Sequence, residues 1–275
     1  DLLARQGIRF TSTYCAQPIC SPSRAAILTG KAPARLHLTT YLPGRPDCVS
    51  QKVLHPDIQL QVPLTEEMLP KYFREAGYVT AAIGKWHVGG KGFGPLEHGF
   101  DVYHAGQANT QPSVIEGGKG EYDLTAFAER FIETNKDRPF LVYLAHNSPH
   151  IPYDAQKPRI EANAQAFEPV YAGVIETLDD TVGRLLARIE TLKLTDKTIV
   201  IFTSDNGGLH VPEGPHPKIT HNTPYRAGKG FVYEGGLRIP LIVRWPGHIP
   251  AGTTVEVPVI NVNIQDITDE SGYID

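Results

Sequence analysis

Residues 198–208 read TIVIFTSDNGG, a short and mostly apolar run that stops at a polar Ser-Asp-Asn-Gly-Gly turn. Continuous apolar runs of this kind are typical of strands that are buried on both faces, as in parallel sheets. Three similar runs, YVTAAI, FLVYLA and LIVR, occupy residues 78–83, 140–145 and 241–244. The pattern predicts an α/β fold with a mainly parallel central sheet flanked by helices.

The segments between these runs predict helices over 65–76, 123–134 and about 169–192. The longest carries apolar residues at steps of three and four, which is typical of a helix that covers a sheet. Pro70 removes a backbone donor, so the regular part of the first helix is expected to begin near it. Residues 209–226 are rich in Pro and His and lack periodicity, which is typical of a functional loop.

Composition excludes several classes of protein. With 41% hydrophobic and 20% charged residues, the 275-residue chain is neither disordered nor a coiled coil. Its net charge of −4 offers no basic excess for a nucleic-acid partner. No apolar run approaches the roughly 18 residues that span a bilayer. Three cysteines are too few for a disulfide-built scaffold, although a Cys15–Cys48 pair stays open if the protein is exported.

Polar, reactive side chains follow three of the four predicted strands. Lys85 and His87 follow the first, His150 follows the second, and Asp205 and Asn206 follow the third. Because ligands bind at the carboxyl ends of strands in open parallel sheets, these side chains are expected to converge. Each is weak evidence alone, since an Asp-Asn-Gly sequence more often forms a plain turn. Their coincidence at several strand ends favours a functional site.

The segment CSPSRAAILTG at residues 20–30 predicts a helix. Ser21 suits the N-cap, Pro22 the first helical position and Gly30 the C-terminal stop. Cys20 is therefore expected at a helix N-terminus, where backbone donors favour an anion. The helix signals alone favour a plain capped helix with a buried thiol over an anion site.

The string Cys20-x-Pro22-Ser23-Arg24, followed by AAILTG, resembles the motif of the type I sulfatases. Further matches occur in family order: GKWH at 84–87, SPHIP at 148–152, SDNGG at 204–208 and RxxKGxxxEGGxRxP at 226–240. The resemblance extends from Leu2 to about Val262. It implies a sheet related to that of alkaline phosphatase and the activity of a sulfuric ester hydrolase, with a sulfated saccharide as the expected substrate.

The resemblance implies a covalent mechanism. A maturase would oxidise Cys20 to formylglycine, whose hydrate offers one hydroxyl for attack on sulfur and a second for release of the sulfate. Arg24 is expected to hold the hydrate and the metal-site carboxylates, and His87 to act as the base for release. Asp205 and Asn206 are expected to bind calcium, with magnesium or manganese as alternatives.

Substrate contacts are also implied by the resemblance. Lys85 and Lys229 are expected to bind sulfate oxygens as point charges, and His150 to protonate the leaving oxygen or to hydrogen-bond the sulfate. His221, near Lys229 in sequence, is expected at the substrate mouth. His146 and His210 stay open between the substrate mouth and the surface, and His216 is interpreted as a surface residue. The remaining motif residues are interpreted as structural: Trp86, Tyr143, Arg226, Glu234 and Arg238.

The sequence departs from the family pattern at both ends. No strand with an Asp-Asp pair precedes Cys20, and residues 263–275 match nothing. The expected catalytic domain is therefore 1–262, incomplete at its N-terminus and lacking the first strand and most of the C-terminal subdomain, followed by an unmatched tail. Weak metal binding and an exposed edge or gap in the sheet are expected to follow. Location in the periplasm or outside the cell is expected from family habit.

Two other functions stay open at this point. One is a phosphonate monoester or phosphodiester hydrolase of the same superfamily, some members of which carry the same cysteine motif. The other is a non-catalytic relative that binds sulfated glycans. An intact set of reactive residues argues against the second: Cys20, Lys85, His87, His150, Asp205 and Lys229.

Overall fold

The computed structural model describes residues 2–107, 119–215 and 218–264. Within these ranges the strands form one three-stranded, one four-stranded and one two-stranded sheet. The strands are β1 (Ile8–Phe10), β2 (Thr13–Tyr14), β3 (Val79–Gly84), β4 (Val102–His104), β5 (Phe140–Ala145), β6 (Val200–Thr203), β7 (Leu241–Arg244), β8 (Thr253–Val255) and β9 (Val259–Ile260).

The helices of the described residues surround these sheets. They are α1 (Leu2–Arg5), α2 (Cys20–Thr29), α3 (Leu69–Glu75), α4 (Glu121–Asn135), α5 (Lys157–Ala162), α6 (Pro169–Thr191) and α7 (Glu234–Leu237). The three helices predicted over 65–76, 123–134 and 169–192 correspond to α3, α4 and α6. Pro70 lies in the first turn of α3, as its missing donor requires. None of the described helices is long and apolar enough to cross a membrane.

The three-stranded sheet is wholly parallel, in the order β4-β3-β5. Its register places Gly84 beside Ala145, so β3 and β5 end side by side. The four-stranded sheet, β6-β7-β1-β8, is mixed, because β7 runs antiparallel to both β6 and β1. The run 241–244 is thus a strand as predicted, but it lies against β6 with the opposite direction.

Helices cover both faces of the parallel sheet, as predicted. On one face Leu124, Ala128 and Phe131 of α4 pack against Ala81 and Ile83 of β3, and α6 lies beside α4. On the other face α2 contributes to a second cluster that contains Ala25, Leu28, Ala82, Trp86 and Phe100. Trp86 is therefore a packing residue, as interpreted from the sequence. This packing holds α2 against β3, the strand that precedes Lys85.

The expected exposed sheet edges are present. Among the described residues, β5 pairs with β3 alone and β6 pairs with β7 alone, so each strand lies at the edge of its sheet. Both edge strands are only partly buried, whereas β3 is buried along nearly its whole length. The buried-on-both-faces pattern of 140–145 and 198–203 is therefore not realised, because neither strand has an outer neighbour in the described ranges.

The cysteines are three separate thiols. Cys15 is buried and its Sγ lies 3.6 Å from the carbonyl oxygen of Gly236, while Cys48 is exposed. The Cys15–Cys48 disulfide left open from the sequence is therefore wrong. Residues 265–275 lie outside the described residues, so the expected domain boundary at 262 stays a prediction.

Candidate active site

The helix α2 presents Cys20 at its first turn. The helix begins at Cys20 with Ile19 as N-cap, so the predicted cap at Ser21 is wrong. Ser21 instead accepts a hydrogen bond on Oγ from the backbone N–H of Leu42 at 3.0 Å. Gly30 ends the helix as predicted, in the left-handed conformation with φ 63°. The Cys20 side chain is buried at this N-terminus.

Lys85 and His87 lie just after the end of β3. The Lys85 N–H donates to the carbonyl of Ala145 at 2.8 Å, extending the β3–β5 register by one residue. His87 has a positive φ of 62°, a conformation that non-glycine residues adopt rarely and that is often found at functional sites. Its Nε2–H donates to the Leu42 carbonyl at 2.9 Å, and its buried Nδ1 has no partner among the described residues.

His150 lies in the turn that follows β5. Its Nδ1–H donates to the carbonyl of Ile151 at 2.7 Å, and its Nε2 lies 3.3 Å from Nζ of Lys229. Because a carbonyl only accepts, the neutral ring carries its proton on Nδ1 and offers the Nε2 lone pair to the cluster. Burial, assisted by the charges of Lys85 and Lys229, lowers the pKa of His150.

A buried acid and a buried lysine hold the turn before His150. Glu121 is fully buried and accepts the backbone N–H of Ser148 at 3.0 Å and that of Lys119 at 2.6 Å. The Lys119 ammonium donates to the carbonyl of Ile151 at 2.8 Å. Burial raises the pKa of Glu121 and lowers that of Lys119 to about 8. These groups have no motif of their own and were not predicted from the sequence.

Asp205 follows the end of β6 and forms an ion pair with Arg24. Nε of Arg24 lies 2.8 Å from Oδ2 of Asp205, and Nη1 donates to the Lys85 carbonyl at 2.8 Å. Burial would raise the pKa of Asp205, but the charges of Arg24 and Lys85 outweigh it and lower the pKa below its usual value. Tyr143 also hydrogen-bonds Arg24, and burial raises its pKa. Tyr143, interpreted as packing, therefore touches the cluster.

The cluster has the electrostatics of an anion-binding site. Burial alone would raise the pKa of the Cys20 thiol, but the hydrogen bond to His150 and the charge of Lys85 lower it overall. Burial and the nearby guanidinium of Arg24 lower the pKa of Lys85. Burial also raises the pKa of Cys15 to about 12, so the neighbouring thiol is inert.

Lys229 reaches the cluster from a glycine-rich loop. Its backbone N–H donates to the Gly208 carbonyl at 3.0 Å, and Asn222 Nδ2 donates to the same carbonyl at 2.9 Å. A Cβ on Gly207 would lie 1.9 Å from the carbonyl oxygen of Gly235, so only glycine permits this approach. The 204–208 turn and the Lys229 loop therefore pack backbone to backbone.

Several predicted residues lie away from the cluster. His221 is exposed, with its ring 5.9 Å from that of Phe167, in a small cleft with Tyr171 and Thr220. The expected role of His221 at the substrate mouth stays a prediction. His146 follows β5 and is half-buried. Both of its ring nitrogens are buried and unpartnered among the described residues, and His216 lies outside them.

The residues interpreted as structural in the 226–240 motif have local partners. Arg238 pairs with Glu234 at 3.2 Å and donates to the Thr11 carbonyl at 2.9 Å. Arg226 stacks over the ring of Tyr233 at 3.8 Å. Of the residues interpreted as structural, Arg238 and Glu234 pair with each other, whereas Arg226 packs on an aromatic ring. His210 lies beside the ring of Phe231, and burial lowers its pKa.

Asn261 is a supporting residue that the sequence did not reveal. Its Nδ2 donates to Oγ of Ser23 at 2.7 Å, and its Oδ1 accepts the backbone N–H of Ala16 at 2.9 Å. These contacts tie the 261–263 turn to the helix that carries Cys20. They join residues more than 200 positions apart, so no local pattern signals them.

Two oxygen ligands for a hard cation lie together. Asp205 carries a carboxylate, and the buried Oδ1 of Asn206 has no partner in the described ranges while its Nδ2 donates to the Gly207 carbonyl at 2.9 Å. An orphaned buried amide oxygen beside a carboxylate fits calcium. No cluster of three or more His, Cys, Asp or Glu residues suited to a metal occurs in the described part of the chain, so Asp205 and Asn206 would supply only part of a coordination shell.

The fold and the cluster together define an α/β protein with a buried thiol, two ammonium groups and two neutral imidazoles at the sheet's carboxyl ends. The sulfatase family model matches residues 1–268, and the chain belongs to the sulfatase family. Human N-acetylgalactosamine-6-sulfatase is 33% identical over 92% of this chain and 52% of its own length. Human arylsulfatase A is 32% identical over 94% of this chain and 55% of its own length.

Solved structures also match this chain. The crystal structure of Ps i-CgsB in complex with k-i-k-neocarrahexaose matches with a TM-score of 0.81 and 30% identity, over 96% of this chain and 64% of that one. Phosphonate monoester hydrolase of Agrobacterium radiobacter matches with a TM-score of 0.64 and 18% identity, over 96% of this chain and 66% of that one, a likeness of fold alone. The predicted resemblance to the sulfatases is confirmed by the family model and by these relatives. The chain spans about half the length of the curated relatives it matches.

Proposed function

We propose that the protein is a sulfuric ester hydrolase that uses Cys20, in its formylglycine form, to release sulfate from a sulfated saccharide. The observation that carries the proposal is the convergence of Cys20, Lys85, His150, Asp205 and Lys229. These residues come from separate segments of the chain, and the charges of the two lysines and of Asp205 act on one buried sulfur position.

The proposed roles follow from the chemistry of each group. Hydrolysis of the ester consumes one water and yields an alcohol and sulfate, so negative charge must be held on the sulfate oxygens and a proton given to the leaving oxygen. Lys85 and Lys229 supply charge for the sulfate. His150, in contact with Lys229, is placed to protonate the leaving oxygen once it gains a proton on Nε2.

His87 and Arg24 act on the nucleophile. With Nε2–H held by the Leu42 carbonyl, the ring of His87 has its lone pair on the buried Nδ1. Burial and the charge of Lys85 lower its pKa to about 4, so it is a neutral base at ordinary pH. Arg24 orients Asp205 and shields its charge from the incoming sulfate.

Two groups that the family implies complete this proposal. Asp205 and Asn206 would hold a calcium ion, or magnesium or manganese in its place, whose charge would stabilise the reacting oxygens. The oxidised Cys20 side chain, made by a maturase, would supply the nucleophilic oxygen. The expected location in the periplasm or outside the cell rests on the resemblance to the family and stays a prediction.

The saccharide part of the proposal is supported by relatives. One relative is named as a sulfatase of N-acetylgalactosamine, a sugar, and Ps i-CgsB was crystallised in complex with k-i-k-neocarrahexaose. The chain is 30% or more identical to both proteins. These relatives support a sulfated carbohydrate as the substrate class for the chain's own site.

The test compares sulfate release with phosphate release. The whole protein from its natural source is incubated with matched aryl sulfate, aryl phosphate and aryl phosphonate esters, and with the Cys20→Ala variant as control. We expect the sulfate ester to be hydrolysed faster than the other two, and the variant, which lacks the nucleophile, to be inactive. Faster turnover of the phosphonate would favour the related hydrolase, and binding of sulfated glycans without any turnover would favour a binding protein.

A further inference from the structure

A cleft of about 430 Å³ lies directly beside the candidate active site. Its lining includes Ile19, which precedes Cys20, and Gly230, which follows Lys229. The cleft therefore opens next to the two residues proposed to attack and to bind the sulfate. Its volume is in the range of ligand pockets, roughly 300–1,000 Å³.

The lining of this cleft also includes the polar side chains of Arg45, His55 and Asp57. Arg45 makes no ion pair or hydrogen bond with the described residues; its guanidinium lies 5.8 Å from the centre of the Tyr41 ring. A Cβ on Gly230 would lie 3.6 Å from Nη2 of Arg45, so the guanidinium lies over the backbone next to Lys229. The positive charge of Arg45 thus borders the cleft, and Lys229 precedes another residue of its lining.

The segment that carries Arg45 is tied to the candidate active site. Nε2 of Gln17 donates to the Thr39 carbonyl at 3.2 Å. The Leu42 N–H donates to Oγ of Ser21 at 3.0 Å, and the Leu42 carbonyl accepts from Nε2 of His87 at 2.9 Å. These three contacts tie residues 39–42 to the segments around Cys20 and His87, and Arg45 follows three residues later.

The lining suits one kind of ligand. Pro43, Pro56, Ile58 and Val232 give the cleft apolar walls, which suit the faces of a sugar ring. Arg45 presents a planar fork of donors that matches a sulfate or carboxylate group. The carboxylate of Asp57 suits sugar hydroxyls as an acceptor.

We propose that this cleft binds the sugar unit next to the one being desulfated, and that Arg45 recognises a second anionic group on it. The inference rests on the proposed function, because it places the scissile sulfate between Cys20 and Lys229. It specifies that function further: the preferred substrate is a saccharide that carries negative charge on two neighbouring units rather than an isolated sulfate ester.

The test measures binding without turnover. The Cys20→Ala form of the whole protein is titrated by calorimetry with a disaccharide sulfated on both sugar units and with the same disaccharide sulfated on one. We expect the disulfated ligand to bind about tenfold more tightly, and Arg45→Gln to remove most of that difference. Arg45→Lys is expected to retain part of it, since it keeps the charge without the fork.

The matched control is Lys52→Gln, which removes an exposed positive charge from the same loop, outside the cleft lining. It is expected to keep the tenfold difference. Equal binding of the two ligands before any Arg45 change, or an equal effect of both substitutions, would overturn the inference. If native protein releases sulfate while the Arg45 variants bind as before, only this inference fails; if native protein releases none, the proposed function fails.

Discussion

At the scale of single residues, two histidines are held in one tautomer by backbone carbonyls. His87 donates Nε2–H to Leu42 and His150 donates Nδ1–H to Ile151. Each ring then has its lone pair on the other nitrogen. The pKa of each is lowered by burial first, so both are neutral above their pKa and ready to take a proton.

Lys229→Met tests the charge that faces His150. The substitution keeps the length of the side chain and removes the ammonium that lies 3.3 Å from Nε2 of His150. We expect kcat/KM for an aryl sulfate to fall by about 100- to 1,000-fold, as for loss of one donor to a developing oxyanion. Lys136→Met, an exposed lysine after α4, is the control; an equal, small effect of both would contradict the role.

At the scale of elements, the part of the candidate site that the sequence predicts best is the set of residues that follow the strand ends. The apolar runs before Lys85 and His150 identify β3 and β5, and their parallel pairing brings those side chains together. The motif around Cys20 likewise places it at a helix N-terminus.

The supporting contacts were less predictable. Glu121, Tyr143 and Asn261 act through contacts between distant segments, which leave no local pattern. The antiparallel direction of β7 is equally a property of the assembled sheet. Ser21 has the chemistry of a cap, yet its hydroxyl is engaged by Leu42, so tertiary packing overrides the local preference.

His87 and His146, which follow β3 and β5, are expected to make the folded protein less stable in acid. Burial lowers the pKa of both His87 and His146 to about 4, while unfolded histidine titrates near 6.5. Between these values the unfolded chain binds more protons, so stability is complete above about pH 6.5 and falls towards pH 4, by at most about 3 kcal/mol for each side chain.

Melting temperature measured against pH checks this expectation. Replacing His146 by Leu removes one titrating group without breaking a described hydrogen bond, because both ring nitrogens are unpartnered in the described ranges. The variant should show a shallower decline between pH 6.5 and 4 and be no less stable at pH 7. A decline of the same steepness as in the unchanged protein would contradict the assignment for His146.

At the scale of the whole molecule, the described residues form sheets that end at β5 and β6 without outer partners. Hydrogen exchange rates measured on this chain should therefore differ between β3 and β5 of the parallel sheet. Amides of β3, paired on both sides, are expected to exchange slowly, whereas alternate amides of β5 that face away from β3 exchange much faster. Uniform protection along β5 would mean that another segment covers this edge.

Calcium binding by this chain is expected to be weak, because Asp205 and Asn206 would supply only part of the coordination shell. Asp205 and Asn206 provide two side chains where calcium takes 6–8 oxygen ligands. Calorimetric titration of the chain should give a dissociation constant of about 1 mM or weaker, with the signal abolished by Asn206→Ala. Micromolar binding would show that other groups of the chain complete the shell.

Peptide mass spectrometry of the Cys20 peptide, from protein made in its natural source, tests the formylglycine mechanism. We expect an aldehyde in place of the thiol, a covalent change that shifts the mass of this one peptide. Cys15 and Cys48 should remain thiols in the same digest. A thiol at full occupancy on Cys20 in protein that still releases sulfate would contradict the proposed mechanism.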